Sequence, residues 1–133
     1  MEMKTLHLNL KKKWFDMILS GEKTEEYRDI KLFWFLRLVS SREEIESQVL
    51  DEIICDMKDP KRHASYSELM NYFNIEFRQF DTITFSNGYK KNRPQFEIEL
   101  KKIFISNGYQ NWGAVSMENY FVLELGEIIS DNR

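Results

Sequence analysis

The chain has 133 residues, of which 42% are hydrophobic, 14% aromatic and 31% charged, and its formal net charge at pH 7 is -3. This length predicts a single domain with one core, and the composition excludes a disordered tail or linker. The acidic balance argues against a globally basic nucleic-acid binder, so any nucleic-acid surface must be a local patch.

The single cysteine, Cys55, excludes an intramolecular disulfide and favours a reducing compartment. Its apolar helical register predicts a buried thiol. The N-terminal sequence lacks the continuous apolar segment of a signal peptide, and no stretch of the sequence reaches transmembrane length. We therefore expect a soluble, cytoplasmic protein without a membrane partner.

The first third of the chain predicts a strand, a helix and a second strand. Residues 5–10 alternate apolar and polar side chains, as a half-buried strand does. Residues 11–20 have apolar side chains at helical spacing, and the following Gly21 is typical of a helix end. On the strand predicted for residues 23–28, one face has Thr24, Glu26 and Arg28, and the other has Lys23, Glu25 and Tyr27.

Residues 30–74 predict a helical insertion. Ser41 with Glu44, and Ser65 with Glu68, have the spacing of a capping box at a helix start. A polar, turn-rich loop around Pro60 separates the two helices that these boxes begin.

The last third predicts strands again, interrupted twice by the sequence Ser-Asn-Gly-Tyr, at residues 86–89 and 106–109. Asn-Gly is a strong turn signal because both residues tolerate a positive φ. The order of elements predicts an α+β fold in which a small mixed sheet or barrel carries the helical insertion.

Metal, cofactor and nucleophile motifs are weak in this sequence. His7 and His63 are the only histidines, and with one cysteine they cannot supply the ligand set of a structural zinc site. A magnesium site made of carboxylates stays open, because such a site needs only one or two of them. We find no Ser-His-Asp or Cys-His pattern and no glycine-rich phosphate loop, and we expect no cofactor.

The charged cluster behind Gly21 is the strongest candidate site. Arg28 stays protonated and can bind a phosphate or carboxylate through two hydrogen bonds, so it suits anchoring rather than base catalysis. Lys23 can act as a base or nucleophile when burial or a cation lowers its pKa, whereas a neighbouring carboxylate keeps it charged. A purely structural pair between Glu26 and Arg28 is the alternative.

Four of these positions carry a family resemblance. Gly21, Lys23, Glu26 and Arg28 match Gly-x-Lys-x-x-Glu-x-Arg, the signature of the ASCH domain (activating signal cointegrator homology), which is related to PUA-like barrels. The preceding helix and the strands of the last third also resemble this family, while residues 30–74 resemble a family-variable insertion. The resemblance implies a PUA-like β-barrel over residues 1–133, with a cleft lined by Lys23, Glu26 and Arg28.

The resemblance also implies an RNA-interacting protein, and some small bacterial members hydrolyse acylated cytidine nucleosides. In those hydrolases a lysine at the position of Lys23 acts with a threonine and a distant glutamate. Glu26 stands here in place of that threonine, which weakens the hydrolase hypothesis. Three strand residues are candidates for the distant glutamate, and the sequence does not choose between Glu97, Glu99 and Glu124.

Local cations could serve an RNA surface. They occur at Lys11, Lys12 and Lys13, at Lys90, Lys91 and Arg93, and at Lys101 and Lys102. Tyr89, Tyr109 and Trp112 are the aromatic side chains that could stack a base beside them.

Three hypotheses follow. The first is an RNA- or nucleotide-binding protein that uses Lys23, Glu26, Arg28, Lys90 and Lys91, with Tyr89 or Trp112 as a stacking face. The second is a hydrolase of acylated cytidine-type nucleosides, with Lys23 as base or nucleophile and Glu26 or Glu97 relaying the proton. The third is a protein-interaction module. It requires an exposed apolar stripe along the insertion, at Ile45, Val49, Ile53 and Leu69.

Overall fold

The computed structural model describes residues 3–59 and 66–132 of the chain. Within this part the fold is α+β, as the sequence predicts. The elements in chain order are β1 (Thr5–Leu10), α1 (Lys12–Leu19), β2 (Glu25–Asp29), α2 (Leu32–Leu38), β3 (Val39–Ser41), α3 (Ser47–Lys58), α4 (Tyr66–Tyr72), β4 (Ile75–Phe77), β5 (Thr82–Asn87), β6 (Gln95–Asn107), a short 3-10 helix (Gln110–Trp112) and β7 (Asn119–Asn132).

Five strands form one sheet, in the order β1-β5-β6-β7-β2. β1 runs parallel to β5, and β5 runs antiparallel to β6. This mixed sheet is compatible with a barrel-like α+β fold. A second sheet pairs β3 antiparallel with β4.

The chain forms two compact units. The first comprises Met1–Glu26, Gln79–Ile103 and Leu123–Arg133, and the second comprises Tyr27–Arg78 and Phe104–Val122. Each of the strands β2, β6 and β7 contributes residues to both units.

The core of the first unit lies between α1 and the strands β1, β5 and β6. The three leucines of β1 are buried, as the alternation predicts, and Leu8 pairs with Phe85 of β5. Phe85 in turn pairs with Phe96 of β6. α1 contributes Phe15, whose ring meets that of Phe96 edge-on at a centroid distance of 4.8 Å. The strands and α1 thus pack together through the apolar faces that the strand and helix periods of the sequence predict.

In the second unit, a side-chain amide on β7 forms hydrogen bonds with residues of the helices α3 and α4. The side chain of Asn119 on β7 donates hydrogen bonds to the Met57 carbonyl oxygen and to the Tyr66 hydroxyl. Its own oxygen accepts a hydrogen bond from Asn107 at 2.9 Å. Because a buried amide needs partners for both its donors and its acceptor, these contacts fix its orientation.

The predicted capping box at Ser41 and Glu44 is wrong. Ser41 ends the strand β3, and α3 begins only at Ser47. The Ser41 hydroxyl instead exchanges hydrogen bonds with the backbone of Glu43. Ser and Thr side chains bond nearby backbone in turns as readily as at helix starts, so the spacing alone was ambiguous. Pro60, His63 and Ser65 lie outside the described residues.

The apolar stripe predicted along the insertion is largely covered. Ile53 and Leu69 are buried, and Ile45 and Val49 are half-buried. Cys55, predicted to be buried, is exposed, because it falls on the outer face of α3 between the buried positions. The exposure that the protein-interaction hypothesis requires is therefore absent from Ile53 and Leu69.

Candidate functional site

Lys23 is placed by the end of α1. Gly21, with a φ of +84°, ends the helix, and its Cβ position has open space around it, so the glycine is needed for its backbone conformation alone. The Lys23 N–H then donates to the Met17 carbonyl oxygen at 2.9 Å, which folds the chain back onto the helix. The Lys23 residue is consequently only 2% exposed.

Lys23 and Glu26 form a buried ion pair. The Lys23 ammonium donates to Glu26 Oε1 at 2.7 Å, and the two side chains are 1% and 7% exposed. The predicted strand faces, which placed Lys23 with Glu25 and Tyr27, are wrong at this position. β2 begins at Glu25, so Lys23 lies in the turn before the strand, where the alternation of faces does not apply.

Trp14 of α1 extends the ion pair into a cluster. Its ring centroid lies 4.5 Å from the Lys23 ammonium and 4.7 Å from that of Lys13, both within the range of a cation–π contact. The sequence pattern assigned Trp14 to the apolar face of the helix and missed this role. Adjacent helix positions can both face a core, so the spacing did not separate Trp14 from Phe15. Phe15 is buried and Trp14 is half-buried.

A cavity of about 330 Å³ adjoins this cluster within the first unit. Its volume lies at the lower end of the range of about 300–1,000 Å³ that is typical of small-molecule sites. Both apolar and polar side chains line the cavity. The lining residues are Ile18, Leu19, Ser20, Gly21, Lys23, Thr24, Ile98, Leu125, Gly126, Glu127 and Ile128.

Arg28 belongs to the second unit, where it contacts an aromatic side chain. Its guanidinium carbon lies 4.8 Å from the ring centroid of Trp34 on α2. Arg37 lies 5.7 Å from the same ring and 5.5 Å from the ring of Phe33. These distances define a cluster of two arginines and two aromatic rings that the sequence prediction did not include.

The other predicted ligand-binding residues lie in a turn and in the short 3-10 helix. Tyr89 is 88% exposed, and Lys90 and Lys91 are exposed beside it in the turn after β5. Trp112 is half-buried in the 3-10 helix, where its ring meets that of Tyr109 edge-on at 4.9 Å. Among the described residues, none of Tyr89, Lys90 and Lys91 lines the cavity.

Of the three candidates for the distant glutamate, Glu97 and Glu124 have polar partners other than Lys23, and Glu99 packs against Gly126. Glu97 accepts a hydrogen bond from Thr82 at 2.6 Å, and Glu124 lies 3.8 Å from the ammonium of Lys102. Glu99 packs so closely on Gly126 that a Cβ there would lie 1.8 Å from its carboxylate oxygen. The Lys23 ammonium donates its observed hydrogen bond to Glu26.

In the part of the chain that the structure describes, no group of three or more His, Cys, Asp or Glu side chains is arranged to hold a metal ion. None of the helices described is long and apolar enough to cross a membrane. No family model, curated protein or solved structure matches this chain.

Proposed function

We propose that the protein binds a nucleotide, either free or as one unit of an RNA chain, at the cavity beside Lys23 and Glu26. The observation that carries this proposal is that Lys23, the cation of a buried ion pair with Glu26, lines a cavity of small-molecule size. The ASCH resemblance of Gly21, Lys23, Glu26 and Arg28 supports the same ligand class, and the barrel-like strand order is compatible with the PUA-like barrel that this resemblance implies.

The energetics of the ion pair support a role in recognition. Removing two charges from water costs several kcal/mol per ion, and a well-packed apolar pair is often as stable. A buried pair is therefore weak evidence for a stabilising role. An ammonium donates up to three hydrogen bonds and a carboxylate accepts several, so together they match the mixed donor and acceptor edge of a nucleobase.

The burial of Lys23 limits which part of a ligand it can contact. A lysine side chain that is 1% exposed does not reach the backbone of an RNA lying on the surface. Lys13 is exposed and lies against the same Trp14 ring, so it is better placed to meet a phosphate. We therefore assign base or ribose recognition to Lys23 and Glu26 and phosphate contact to Lys13.

The hydrolase hypothesis receives less support. A lysine acts as a base or nucleophile in its neutral form, whereas a carboxylate at 2.7 Å favours the ammonium form. Glu97 as the proton relay has its own partners in Thr82 and Thr5. Binding without turnover is the behaviour that fits this geometry.

The binding test blocks the cavity without touching the ion pair. Thr24 is exposed and lines the cavity, so Thr24→Trp places a large ring in the space that the ligand needs. Gln48→Trp adds the same side chain to an exposed position of α3 and is the matched control. Isothermal titration with nucleoside monophosphates should show binding to the wild type and to Gln48→Trp, with at least a tenfold loss in Thr24→Trp. Equal affinity in all three proteins would overturn the proposal.

A second assay separates binding from hydrolysis. Acylated cytidine nucleosides are incubated with the wild type and with the double variant Lys23→Met, Glu26→Leu, and the products are separated by chromatography. We expect no deacylated product above the uncatalysed background. Turnover that the double variant lacks would assign the site to the hydrolase instead.

A further inference from the structure

A second cavity lies in the second unit, at the end of the β3–β4 sheet. Its volume is about 150 Å³, which leaves room for a molecule of about five or six non-hydrogen atoms. Its lining residues all belong to the second unit, and none of them lines the cavity beside Lys23. We call this second cavity the Arg42 pocket. It is lined by Arg42, Met70, Asn71, Asn74, Ile75 and Glu76.

Hydrogen bonds fix the backbone around the Arg42 pocket. β3 and β4 pair as far as Ser41 and Ile75, and the Arg42 N–H continues the ladder by donating to the Asn74 carbonyl oxygen at 3.2 Å. Asn74 has a φ of +55°, a conformation that asparagine adopts more readily than most residues. Its N–H donates to the Asn71 carbonyl oxygen in the last turn of α4, also at 3.2 Å. The backbone therefore sets the positions from which side chains enter the pocket.

Side chains of opposite charge line this pocket without pairing. Glu76 lies opposite Ser40, so Arg42 is its diagonal neighbour on the same face of the β3–β4 sheet. Diagonal neighbours are about 7–8 Å apart, which is within reach of long side chains. Across residues 3–59 and 66–132, however, neither the Arg42 guanidinium nor the Glu76 carboxylate has a hydrogen bond or an ion pair. In the same ranges, the side-chain amides of Asn71 and Asn74 have no hydrogen-bond partner either.

These four side chains select a ligand that has both charges. A simple anion attracted by Arg42 would be repelled by Glu76, and a simple cation would meet the opposite conflict. A guanidinium binds a carboxylate through two parallel hydrogen bonds, and a carboxylate accepts strong hydrogen bonds from an ammonium. Side-chain amides both donate and accept, so Asn71 and Asn74 can bind either group. The arrangement is therefore complementary to a small zwitterion.

We propose that the Arg42 pocket binds a free α-amino acid with a small side chain, its carboxylate at Arg42 and its ammonium at Glu76. An α-amino acid has both charged groups on one carbon atom, so a small one fits a pocket of about 150 Å³. A peptide terminus has only one of the two charges. Met70 and Ile75 are 8% and 4% exposed and form the apolar part of the wall, which suits the methyl group of alanine. This inference is independent of the proposed nucleotide site.

The test follows the side-chain amide signals of Asn71 and Asn74 by nitrogen–proton correlation NMR while L-alanine is added to the full chain. We expect saturable shifts with a dissociation constant of about 1 mM, since so small a molecule forms few contacts. Acetate and ethylammonium each have one of the two charges. Each should therefore bind at least about tenfold more weakly than alanine.

Single substitutions test both charged contacts. Arg42→Gln and Glu76→Gln should each weaken alanine binding at least about tenfold. Arg78→Gln and Glu44→Gln remove exposed charges of the same unit that do not line the pocket, so they are the matched controls. Their affinities should stay within about twofold of the wild type. All four positions are exposed, and the variants should therefore fold as the wild type does.

A charge exchange tests the pairing of the two contacts. Arg42→Glu leaves two carboxylates in the pocket and should abolish alanine binding. Adding Glu76→Arg restores one charge of each sign in reversed positions. Because alanine can bind in the opposite orientation, the double variant should bind it at least about tenfold more tightly than Arg42→Glu alone does.

Three results would overturn the inference. One is the absence of saturable shifts of the Asn71 and Asn74 amides in the wild type. The second is acetate that binds as tightly as alanine, together with tighter binding of both in Glu76→Gln, which indicates a simple anion site. The third is a charge-exchanged double variant that binds alanine no better than Arg42→Glu.

Discussion

Gly88 and Gly108 occupy the same place in the repeated sequence Ser-Asn-Gly-Tyr but are needed for different reasons. Gly88 has a φ of +87° and open space around its Cβ position, so its requirement is conformational. Gly108 does not have a positive φ of this kind. A Cβ there would lie 2.5 Å from the Ala114 Cβ and 3.0 Å from the Tyr27 ring, so its requirement is space.

Gly88→Ala and Gly108→Ala should therefore respond differently to a second substitution. We expect Gly88→Ala to cost about 1–2 kcal/mol of unfolding free energy through backbone strain, and Gly108→Ala to cost about 1–3 kcal/mol through overpacking. Adding Ala114→Gly removes the closest clash and should recover part of the loss in Gly108→Ala alone. Urea denaturation of the single and double variants measures the cost of each glycine substitution and the part that Ala114→Gly recovers. Identical recovery in the two backgrounds would contradict this assignment.

Removing one charge of the Lys23–Glu26 pair should destabilise the protein more than removing both charges. Glu26→Gln leaves the buried ammonium without its anion and should cost about 3–5 kcal/mol of unfolding free energy. The double variant Lys23→Met, Glu26→Leu replaces the pair with apolar groups and should be close to the wild type in stability. The two urea midpoints compare these costs directly. A double variant as unstable as Glu26→Gln would show that the pair itself stabilises the fold.

The family resemblance put both members of this pair in one cleft, but the strand pattern did not pair them. The motif resemblance selected Lys23 and Glu26, and strand alternation then placed them on opposite faces. The alternation failed because the strand starts two residues later than its pattern indicates, which depends on the backbone turn after Gly21. Trp14 was missed because a tryptophan at helical spacing fits a core position equally well.

At the scale of elements, the contact of Asn119 with α3 and α4 carries a specific prediction. Asn119→Ala removes the donors to the Met57 carbonyl and the Tyr66 hydroxyl and should cost about 1–3 kcal/mol of unfolding free energy. Asn119→Asp keeps the shape but places an anion against that carbonyl oxygen, so it should cost more than alanine does. Thermal and urea unfolding of both variants give this order. If Asn119→Asp lowers the unfolding free energy less than Asn119→Ala does, the hydrogen bonds of Asn119 contribute little to stability.

Some elements were predictable and others were not. β1 and α1 match their predicted segments, and β5, β6 and β7 are strands of the last third, as predicted, because each has a strong apolar period. The sheet of β3 and β4 was not predicted. Its strands, Val39–Ser41 and Ile75–Phe77, have three residues each, which is too short for a period to show. Their pairing depends on contacts across more than thirty positions, as between Ser40 and Glu76, and a local pattern contains no such information.

For the whole molecule, a half-buried phenol, Tyr66, and a buried one, Tyr120, predict how stability depends on pH. Burial raises the pKa of Tyr66 and of Tyr120 above the ordinary value of about 10. The unfolded chain therefore loses these protons at a lower pH than the folded chain does. The stability that the two groups contribute is complete below about pH 10 and is lost as the pH rises through their raised pKa values.

The measurement is the urea midpoint between about pH 9 and about pH 11.5. The midpoint should fall over this range, and the fall should be shallower in Tyr66→Phe and Tyr120→Phe than in the wild type. Tyr89 is 88% exposed, so Tyr89→Phe is the matched control and should keep the wild-type slope. Lysine titration affects all four proteins alike, and their differences therefore report the phenols. Four parallel curves would contradict the prediction.

The parallel pairing of β1 with β5 has a consequence for how the chain is made. Thr5 pairs with Thr82, 77 residues later in the chain, and β2 lies next to β7, the last strand. At a synthesis rate of roughly 5–20 residues per second, β1 waits roughly 4–15 s before its partner exists. Its three leucines stay uncovered by β5 for that time, and β2 obtains its sheet neighbour only when β7 emerges. During this period β1 presents apolar side chains without its sheet partner, which is the state in which a nascent chain is most exposed to aggregation and to chaperone binding.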